Sequence, residues 1–204
     1  ESLSKAHGKL ASFPVGPDLS DWRAVPSMVQ GFQTLPGVFS ADGPDRGSVL
    51  LAGALPEKLG GKVADLGAGW GYLAAAILKR PGVKRLDLVE AEADALTCAK
   101  VNVTDERARF HWADATQWRP ETLLDAVVMN PPFHTGREAD AGLGAAFIRA
   151  ARRMLAPDGG LWLVANRHLP YDAVLAECFL EVQDVAGDSA FRVIHAKKPR
   201  RAKP

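Results

Sequence analysis

The chain has 204 residues, of which 47% are hydrophobic and 24% are charged, a composition typical of one globular domain or two small ones. This excludes disordered, collagen-like and coiled-coil chains. The formal net charge of +1 is unevenly distributed, because residues 197–204 carry five lysines and arginines and no acid. Taking those five charges from +1 leaves the first 196 residues at −4. We expect either a solvated basic tail or a flexible arm that binds phosphate groups.

The two cysteines, Cys98 and Cys178, are too few for a disulfide scaffold or a cysteine-based zinc site. We therefore expect a reducing, cytoplasmic location and no metal. No apolar run approaches the roughly 18 residues of a membrane span, and the first residues do not form a signal peptide, so no membrane partner is expected. Because the chain begins with Glu1 rather than methionine, we expect a fragment of a longer protein.

In chain order, residues 1–34 are interrupted by Gly and Pro and show no sustained period, which predicts a lead-in with one short strand near 32–35. From residue 62 onward, short apolar runs alternate with amphipathic stretches. Strands are predicted at 62–66, 85–90, 108–112, 126–130 and 160–165, and helices at about 70–80, 92–102, 138–155 and 171–178. This alternation predicts a parallel sheet with helices on both faces.

The end of the chain departs from that alternation. Two β-type runs, 179–185 and 190–196, are separated by Ala-Gly-Asp-Ser, which predicts an antiparallel hairpin. The predicted fold class is therefore α/β, a Rossmann-like, seven-stranded, mostly parallel sheet that ends in an antiparallel β-hairpin, with helices on both faces. Residues 35–198 would form this domain, residues 1–34 an interdomain linker remnant, and residues 199–204 a basic tail.

A glycine-rich turn follows the first strand of this sheet, in the sequence Asp-Leu-Gly-Ala-Gly-Trp-Gly. Gly67, Gly69 and Gly71 let the backbone turn sharply and approach a ligand, and the helix that follows offers free N–H groups. The dinucleotide fingerprint needs a glycine where this chain has Tyr72, so the pattern fits a pyrophosphate poorly. A tight turn without a ligand is the alternative.

Acidic residues follow the next two strands. Glu90 ends the second strand, where a carboxylate can accept hydrogen bonds from both ribose hydroxyls. Asp114 lies just past the third, where a carboxylate can accept from the exocyclic amine of adenine. Each has a simpler explanation, Glu90 as a solvated strand-end acid and Asp114 as a cap of the following turn. Their order on successive strand ends indicates a nucleoside pocket.

The fourth strand ends in Asn130-Pro131-Pro132-Phe133. The prolines lack N–H donors and hold the loop extended, so the Asn130 side-chain oxygen and the Pro131 carbonyl oxygen can face one point as acceptors. Two such acceptors suit an exocyclic NH2 on a planar base, whose lone pair is otherwise delocalised into the ring. Phe133 would stack on that base. The alternative is a proline-stiffened turn with a core phenylalanine.

Together these motifs resemble those of class I S-adenosylmethionine-dependent methyltransferases that modify an exocyclic amine. With Gly-Val-Phe-Ser at 37–40, Asp-Arg-Gly-Ser at 45–48 and Ala-Asn-Arg-His-Leu-Pro-Tyr at 165–171, the chain resembles the ribosomal RNA guanine-N2 methyltransferases of the RsmC type, in the "methyltransferase small" group, over about residues 34–198. The resemblance implies an enzyme that methylates the N2 amine of a guanine in small-subunit (16S) ribosomal RNA, with S-adenosylmethionine as cofactor and S-adenosylhomocysteine as product. We expect ribosomal RNA or the small ribosomal subunit as partner, and a monomer.

The resemblance also implies roles for individual residues. The cofactor-binding set comprises Phe39, Ser40, Asp45, Asp65, Gly67, Gly69, Gly71, Glu90, Ala113 and Asp114. The catalytic set comprises Asn130, Pro131 and Phe133. The substrate-binding set comprises Phe133, His134 and Asn166, where His134 is equally compatible with an ordinary loop residue.

Other functions stay open at this stage. An amine such as adenine N6 of nucleic acid, or the N5 amide of a protein glutamine, is also planar, and an RNA-binding module without turnover is a further alternative. Proteins of this type commonly carry two methyltransferase-like halves. The chain resembles the catalytic, C-terminal half, so we expect the other half to be missing.

Overall fold

The N-terminal part of the chain forms small elements beside the main sheet. In the computed structural model, the described residues are 20–132 and 141–201, together with 2–5, 8–11, 16, 18, 134–135 and 138–139. The first 34 residues contain two antiparallel pairs and one 3₁₀ turn, with the bounds β1 (Ser2–Lys5), β2 (Gly8–Ala11), Ser20–Trp22, β3 (Ser27–Val29) and β4 (Phe32–Thr34). The strand predicted near 32–35 is confirmed, and the lead-in is more structured than its Gly and Pro content indicated.

The main sheet has seven strands, with the bounds β5 (Lys62–Leu66), β6 (Arg85–Glu90), β7 (Ala108–Trp112), β8 (Leu124–Met129), β11 (Leu155–Asn166), β12 (Phe179–Gly187) and β13 (Phe191–Pro199). Their order is β12-β13-β11-β8-β5-β6-β7. β13 runs opposite to the other six strands of this sheet, which confirms the predicted mostly parallel sheet with a terminal hairpin. The strand order reverses beside β5, and ligands of such sheets bind outside the carboxyl ends of the strands at this point.

Five helices and one short hairpin connect the strands, with the bounds α1 (Arg46–Ala54), α2 (Tyr72–Leu78), α3 (Ala93–Asn102), β9 (His134–Thr135), β10 (Glu138–Ala139), α4 (Ala141–Met154) and α5 (Asp172–Cys178). Side chains of α4 and α5 pack in one core cluster and those of α1, α2 and α3 in another. Successive residues of β8 alternate between them, because Val127 and Met129 join the first and Ala126 and Val128 the second. The sheet is therefore covered on both faces, which explains the nearly continuous apolar runs of its central strands.

Helix α1 was not predicted from the sequence. Gly47 and Gly53 lower the helix propensity of this stretch, and it is short. It forms because the Asp45 side chain accepts a hydrogen bond from the Ser48 N–H as an N-cap, and because Leu51 is completely buried. The tertiary contacts of Leu51 therefore override a weak local preference.

The C-terminal boundary also differs from the prediction. β13 continues through Pro199 rather than ending at 196, and the Arg200 N–H donates to the Cys178 carbonyl oxygen at 2.8 Å. Lys198 forms an ion pair with Glu181 across the β12–β13 hairpin. Of the predicted tail, the first residues are thus held on the domain, and residues 202–204 lie outside the described residues.

Within the described residues, no helix is long and apolar enough to cross a membrane. The same part of the chain contains no group of three or more His, Cys, Asp or Glu side chains placed to hold a metal ion. Both cysteines are buried and unpaired with each other.

Candidate functional site

A cavity of about 510 Å³ opens at the carboxyl ends of β5, β6 and β8, where the strand order reverses. Its wall is formed by Phe39, Gly67, Gly69, Val89, Glu90, Ala91, Glu92, Asp114, Ala115, Asn130, Pro131, Pro132, Leu143 and Phe147. A smaller recess of about 50 Å³ shares Phe39, Gly67, Gly69 and Asn130 with it and adds Ser40, Asp45, Ser48 and Trp70. The fold thus brings most of the sequence-predicted site residues to one place, which we call the strand-end cavity.

The glycines of the loop after β5 divide into two kinds. Gly67 and Gly69 adopt left-handed φ values of 73° and 54° and line the cavity, where a side chain at Gly69 would meet open space. Gly71 also has positive φ, but a Cβ there would lie 2.9 Å from the Val103 side chain. Gly71 therefore lets α2 pack closely against α3. The sequence predicted a cofactor contact at Gly71, but this residue does not form part of the cavity wall.

Glu90 organises the loop from the end of β6. Its two carboxylate oxygens accept hydrogen bonds from the backbone N–H groups of Gly69 and Glu92, each at 2.8 Å. A carboxylate has about four lone-pair sites, so two remain for hydroxyl groups of a ligand. The fold places Glu90 in the cavity wall with this acceptor capacity. Its binding of ribose hydroxyls stays a prediction.

Asp114 and Ala113 occupy the adjacent strand end. The Asp114 Oδ1 atom accepts from the Thr116 backbone N–H and hydroxyl, both at 2.7 Å, so the residue does close the following turn. It also lines the cavity. The Ala113 N–H donates to the Glu90 carbonyl oxygen at 3.0 Å, and its side chain packs toward the core. Ala115, which the sequence did not single out, lines the cavity in its place.

Asp65 lies in the core rather than in the cavity wall, with no exposed surface. Burial raises the pKa of its carboxyl to about 8, and the nearby Glu90 carboxylate adds to the shift. The backbone amide of Ala74 lowers the pKa of Asp65, although it does not meet the geometric criteria of a hydrogen bond. Among the described residues, neither Asp65 oxygen has a hydrogen-bond partner. Asp65 is therefore a buried acid, near the glycine loop, whose carboxyl oxygens have no hydrogen-bond partner in the described part of the chain.

Asn130 is held in one orientation at the end of β8. Its Nδ2 group donates to Asp45 Oδ2 and to Ser48 Oγ, both at 2.9 Å. Because a carboxylate can only accept, the NH2 end of the amide must face Asp45, which leaves Oδ1 as an acceptor on the other side. Asp45 thus caps α1 and positions Asn130 with the same oxygen. Ser48 was not predicted as a site residue. Its position in the Asp-Arg-Gly-Ser motif was the feature of the sequence that could have indicated this role.

The segment at 37–40 is attached to the glycine loop through Trp70. The buried Trp70 ring packs against Phe32, 5.1 Å between centroids, and its Nε1 donates to the Phe39 carbonyl oxygen at 3.0 Å. The Phe39 ring is 58% exposed at the cavity rim. The sequence predicted Phe39 and Ser40 in the site. It did not indicate that Trp70, inside the glycine motif, attaches their segment to the loop.

The remaining predicted residues divide between described and undescribed positions. Pro131 is buried and lines the cavity. Asn166 ends β11 on the same edge of the sheet, two strands from β5, but does not form part of the cavity wall. Phe133 and the side chain of His134 lie outside the described residues.

Several known proteins are similar to this chain. Ribosomal RNA small subunit methyltransferase C from Erwinia tasmaniensis is 34% identical over 198 residues, which cover 97% of this chain and 58% of that protein. The Klebsiella pneumoniae protein of the same name is 35% identical with the same coverage. The chain therefore spans 58% of the length of these curated relatives.

Solved structures of methyltransferases are also similar to this chain. A T. thermophilus 16S rRNA N2 G1207 methyltransferase (RsmC), in complex with AdoMet and guanosine, superposes with a TM-score of 0.69 at 30% identity, covering 86% of this chain and 50% of that one. The N-methyltransferase NodS from Bradyrhizobium japonicum, at 18% identity and a TM-score of 0.61, shares the fold; the match covers 76% of this chain and 86% of that one. The family model of the methyltransferase small domain matches residues 30–195. With most of its length matched by that model, the chain belongs to the methyltransferase small domain family.

Proposed function

We propose that this chain binds S-adenosylmethionine in the strand-end cavity and directs its methyl group to the exocyclic N2 amine of a guanine in small-subunit ribosomal RNA. The observation that carries the proposal is the fixed amide of Asn130. Asp45 and Ser48 hold its NH2 end, so that Oδ1 is left as an acceptor beside Pro131 at the cavity. An acceptor with only one available orientation suits an amine that must be aligned for attack.

The residues of the cavity fit the cofactor. Its volume of about 510 Å³ lies within the roughly 300–1,000 Å³ of small-molecule sites. Gly67 and Gly69 leave room for close approach, and Glu90 retains acceptor sites for ribose hydroxyls. The ionisable residues of the wall are Glu90, Glu92 and Asp114, all acids, which complements a ligand with a sulfonium and an ammonium group.

When bound, S-adenosylmethionine supplies an electrophilic methyl group on a positively charged sulfur. The chain's own contribution is orientation and electrostatic stabilisation. The Asn130 Oδ1 atom and the Pro131 carbonyl oxygen would accept hydrogen bonds from the two N–H groups of the amine and stabilise the positive charge that develops on the nitrogen. The excess proton would leave to water, so Asn130 needs no role as a base. Phe133 would stack on the base.

The relatives support the choice of substrate. The curated relatives carry the name of a ribosomal RNA small subunit methyltransferase, and the T. thermophilus structure holds AdoMet and guanosine together. We extend this substrate to the chain as a proposal, because the chain spans 58% of the curated relatives.

The test is mass mapping of methylated nucleosides. The chain is incubated with methyl-labelled S-adenosylmethionine and either unmodified 16S ribosomal RNA or small subunits, and the RNA is then digested. We expect labelled N2-methylguanosine with the wild type, none with Asn130→Ala, and an unchanged yield with the exposed control Gln117→Ala. Label in N6-methyladenosine, or in a protein glutamine, would contradict the guanine assignment. Comparing the two substrates shows which form the chain prefers.

A further inference from the structure

A second cavity, of about 390 Å³, lies at the opposite end of the sheet. Its wall is formed by Leu123, Arg152, Arg153, Leu155, Pro157, Pro199, Arg200 and Arg201, and we call it the arginine groove. Leu123 precedes β8 and Leu155 begins β11, so the groove is at the amino ends of strands whose carboxyl ends border the strand-end cavity. Neither the family resemblance nor the proposed reaction uses this region.

Two separate parts of the chain build the groove. Arg152 and Arg153 come from the last turn of α4, and Arg200 and Arg201 follow β13. The Arg200 backbone N–H and its Nε donate to the carbonyl oxygens of Cys178, at 2.8 Å, and Ala176, at 3.1 Å. Arg152 Nη1 donates to the Arg200 carbonyl oxygen at 3.2 Å. The C-terminal arginines are thus held beside those of α4.

The positive charge of the groove is not compensated. None of its four arginines is ion-paired with a carboxylate in the ranges that the structure describes. Glu177 and Glu181, on the adjacent α5 and β12, pair instead with Arg149 and Lys198.

Two further observations concern the groove arginines themselves. The buried Nε of Arg152 has no hydrogen-bond partner among the described residues. Partial burial lowers the pKa of Arg153, and the charges of Arg119 and Arg152 lower it further. The fold therefore brings like charges together at some cost, which a bound anion would relieve.

We propose that the arginine groove binds the phosphodiester backbone of the RNA substrate, at a site separate from the one that takes the target base. The choice of RNA as the polymer rests on the proposed function. A guanidinium can donate two parallel hydrogen bonds to one phosphate, so four neighbouring arginines suit a phosphodiester backbone.

Helix α4 connects the two sites. Leu143, near its start, and Phe147, at its middle, line the strand-end cavity, while Arg152 and Arg153, at its end, line the groove. Its 14 residues span about 21 Å at 1.5 Å per residue. An RNA strand that follows α4 would place a base in the cavity and its neighbouring phosphates in the groove.

The test measures the salt dependence of RNA binding. A fluorescein-labelled single-stranded RNA of about 12 nucleotides is titrated with the chain between roughly 50 and 200 mM KCl, without cofactor. The groove variant is Arg153→Gln/Arg201→Gln. The control, Arg109→Gln/Arg149→Gln, removes the same charge from arginines that are paired with Glu121 and Glu177. We expect the slope of log K against log salt to fall by about 0.7 for each lost phosphate contact in the groove variant only.

The outcomes separate this proposal from the proposed function. Unaltered S-adenosylmethionine affinity by calorimetry would show that the groove variant is folded. Equal salt slopes in the two double variants would contradict the proposal that the groove binds RNA phosphates. The proposal would also be contradicted if poly-glutamate bound the wild type as tightly as the RNA does. A failure to methylate guanine, with the slope difference present, would count against the proposed function alone.

Discussion

The two cavities at opposite ends of the sheet have opposite charge. Among the described residues, the ionisable side chains that line the strand-end cavity are Glu90, Glu92 and Asp114, whereas those that line the arginine groove are four arginines. A formal net charge of +1 is therefore compatible with two sites of opposite local charge. The first set complements a small cationic ligand and the second a polyanion.

The two sites also differ in how their charged groups are held. The Glu90 carboxylate accepts from two backbone N–H groups and Asn130 is held by two side chains, so the protein itself orients both groups at the strand-end cavity. In the groove, Arg152, Arg153 and Arg200 donate to backbone carbonyl oxygens, and Arg201 is exposed. An oriented acceptor favours precise chemistry at the first site, and guanidinium groups that have several donors each favour phosphate binding at the second.

The largest effect is expected from Asn130→Ala, which removes the acceptor that aligns the amine. We expect turnover to fall by at least about 100-fold, the typical loss for one preorganised hydrogen-bonding group, while S-adenosylmethionine affinity persists. Steady-state kinetics and calorimetry measure the two quantities. The salt slope of RNA binding should stay that of the wild type, because the groove is intact. Full turnover in this variant would remove Asn130 from the reaction.

The next effect concerns Asp45, a positioning residue. Asp45→Ser keeps a good N-cap for α1 but is too short to hold Asn130, so we expect kcat to fall roughly 10- to 100-fold, for about 1.5–3 kcal/mol of a charged hydrogen bond, with Tm nearly unchanged. Asp45→Asn retains an oxygen that can accept from both Ser48 and Asn130, and it should restore most of kcat. If both variants behave alike, Asp45 acts only through the helix.

Glu90→Ala tests whether the strand-end cavity binds the cofactor. Loss of charged hydrogen bonds should weaken S-adenosylmethionine binding by about 1–3 kcal/mol, and RNA binding should keep its salt slope. Calorimetry and the RNA titration are run on the same preparations, with exposed Glu106→Ala as the charge-matched control. A cofactor affinity equal to that of the control would exclude Glu90 from the site.

The effect of Asp65 concerns the pH dependence of stability rather than turnover. Its folded pKa of about 8 lies above the usual value of 3.8, so the folded state holds a proton that the unfolded state releases. This stability is complete below about pH 4 and is lost as the pH rises toward 8. Relative to Asp65→Asn, wild-type Tm should therefore fall steadily as the pH rises from 5 to 8. A constant difference in Tm would contradict the raised pKa.

Features set by short-range patterns were predictable from the sequence. The bounds of β5, β6 and β7 match because each apolar run is bordered by turn residues, and Glu90 follows as a strand-end acid. Asp114 was recognisable both as a turn cap and as a pocket residue because both readings depend on its position after a strand, and the structure shows it closing the turn and lining the cavity.

Features set by contacts between distant residues were not predictable. The Asp45–Asn130 hydrogen bond joins residues 85 positions apart, and α1 depends on burial of Leu51 against the sheet. Asp65 and Glu90 are both acids near the carboxyl end of a strand, yet the fold leaves Glu90 hydrogen-bonded at the cavity and Asp65 buried with no hydrogen-bond partner among the described residues. Burial depends on which elements pack together, and a local pattern does not record that.

The sequence by itself determined the order along the chain of the seven main-sheet strands, the glycine loop, the family and the basic C-terminal end, because each depends on residue types at short spacing. Only the tertiary structure decided that Asp45 holds Asn130, that Asp65 and Gly71 lie outside the cavity wall, and that Arg200 and Arg201 join Arg152 and Arg153 in one groove. These outcomes depend on how elements far apart in the chain pack together, such as β8 between β5 and β11, and short-range patterns do not record that packing.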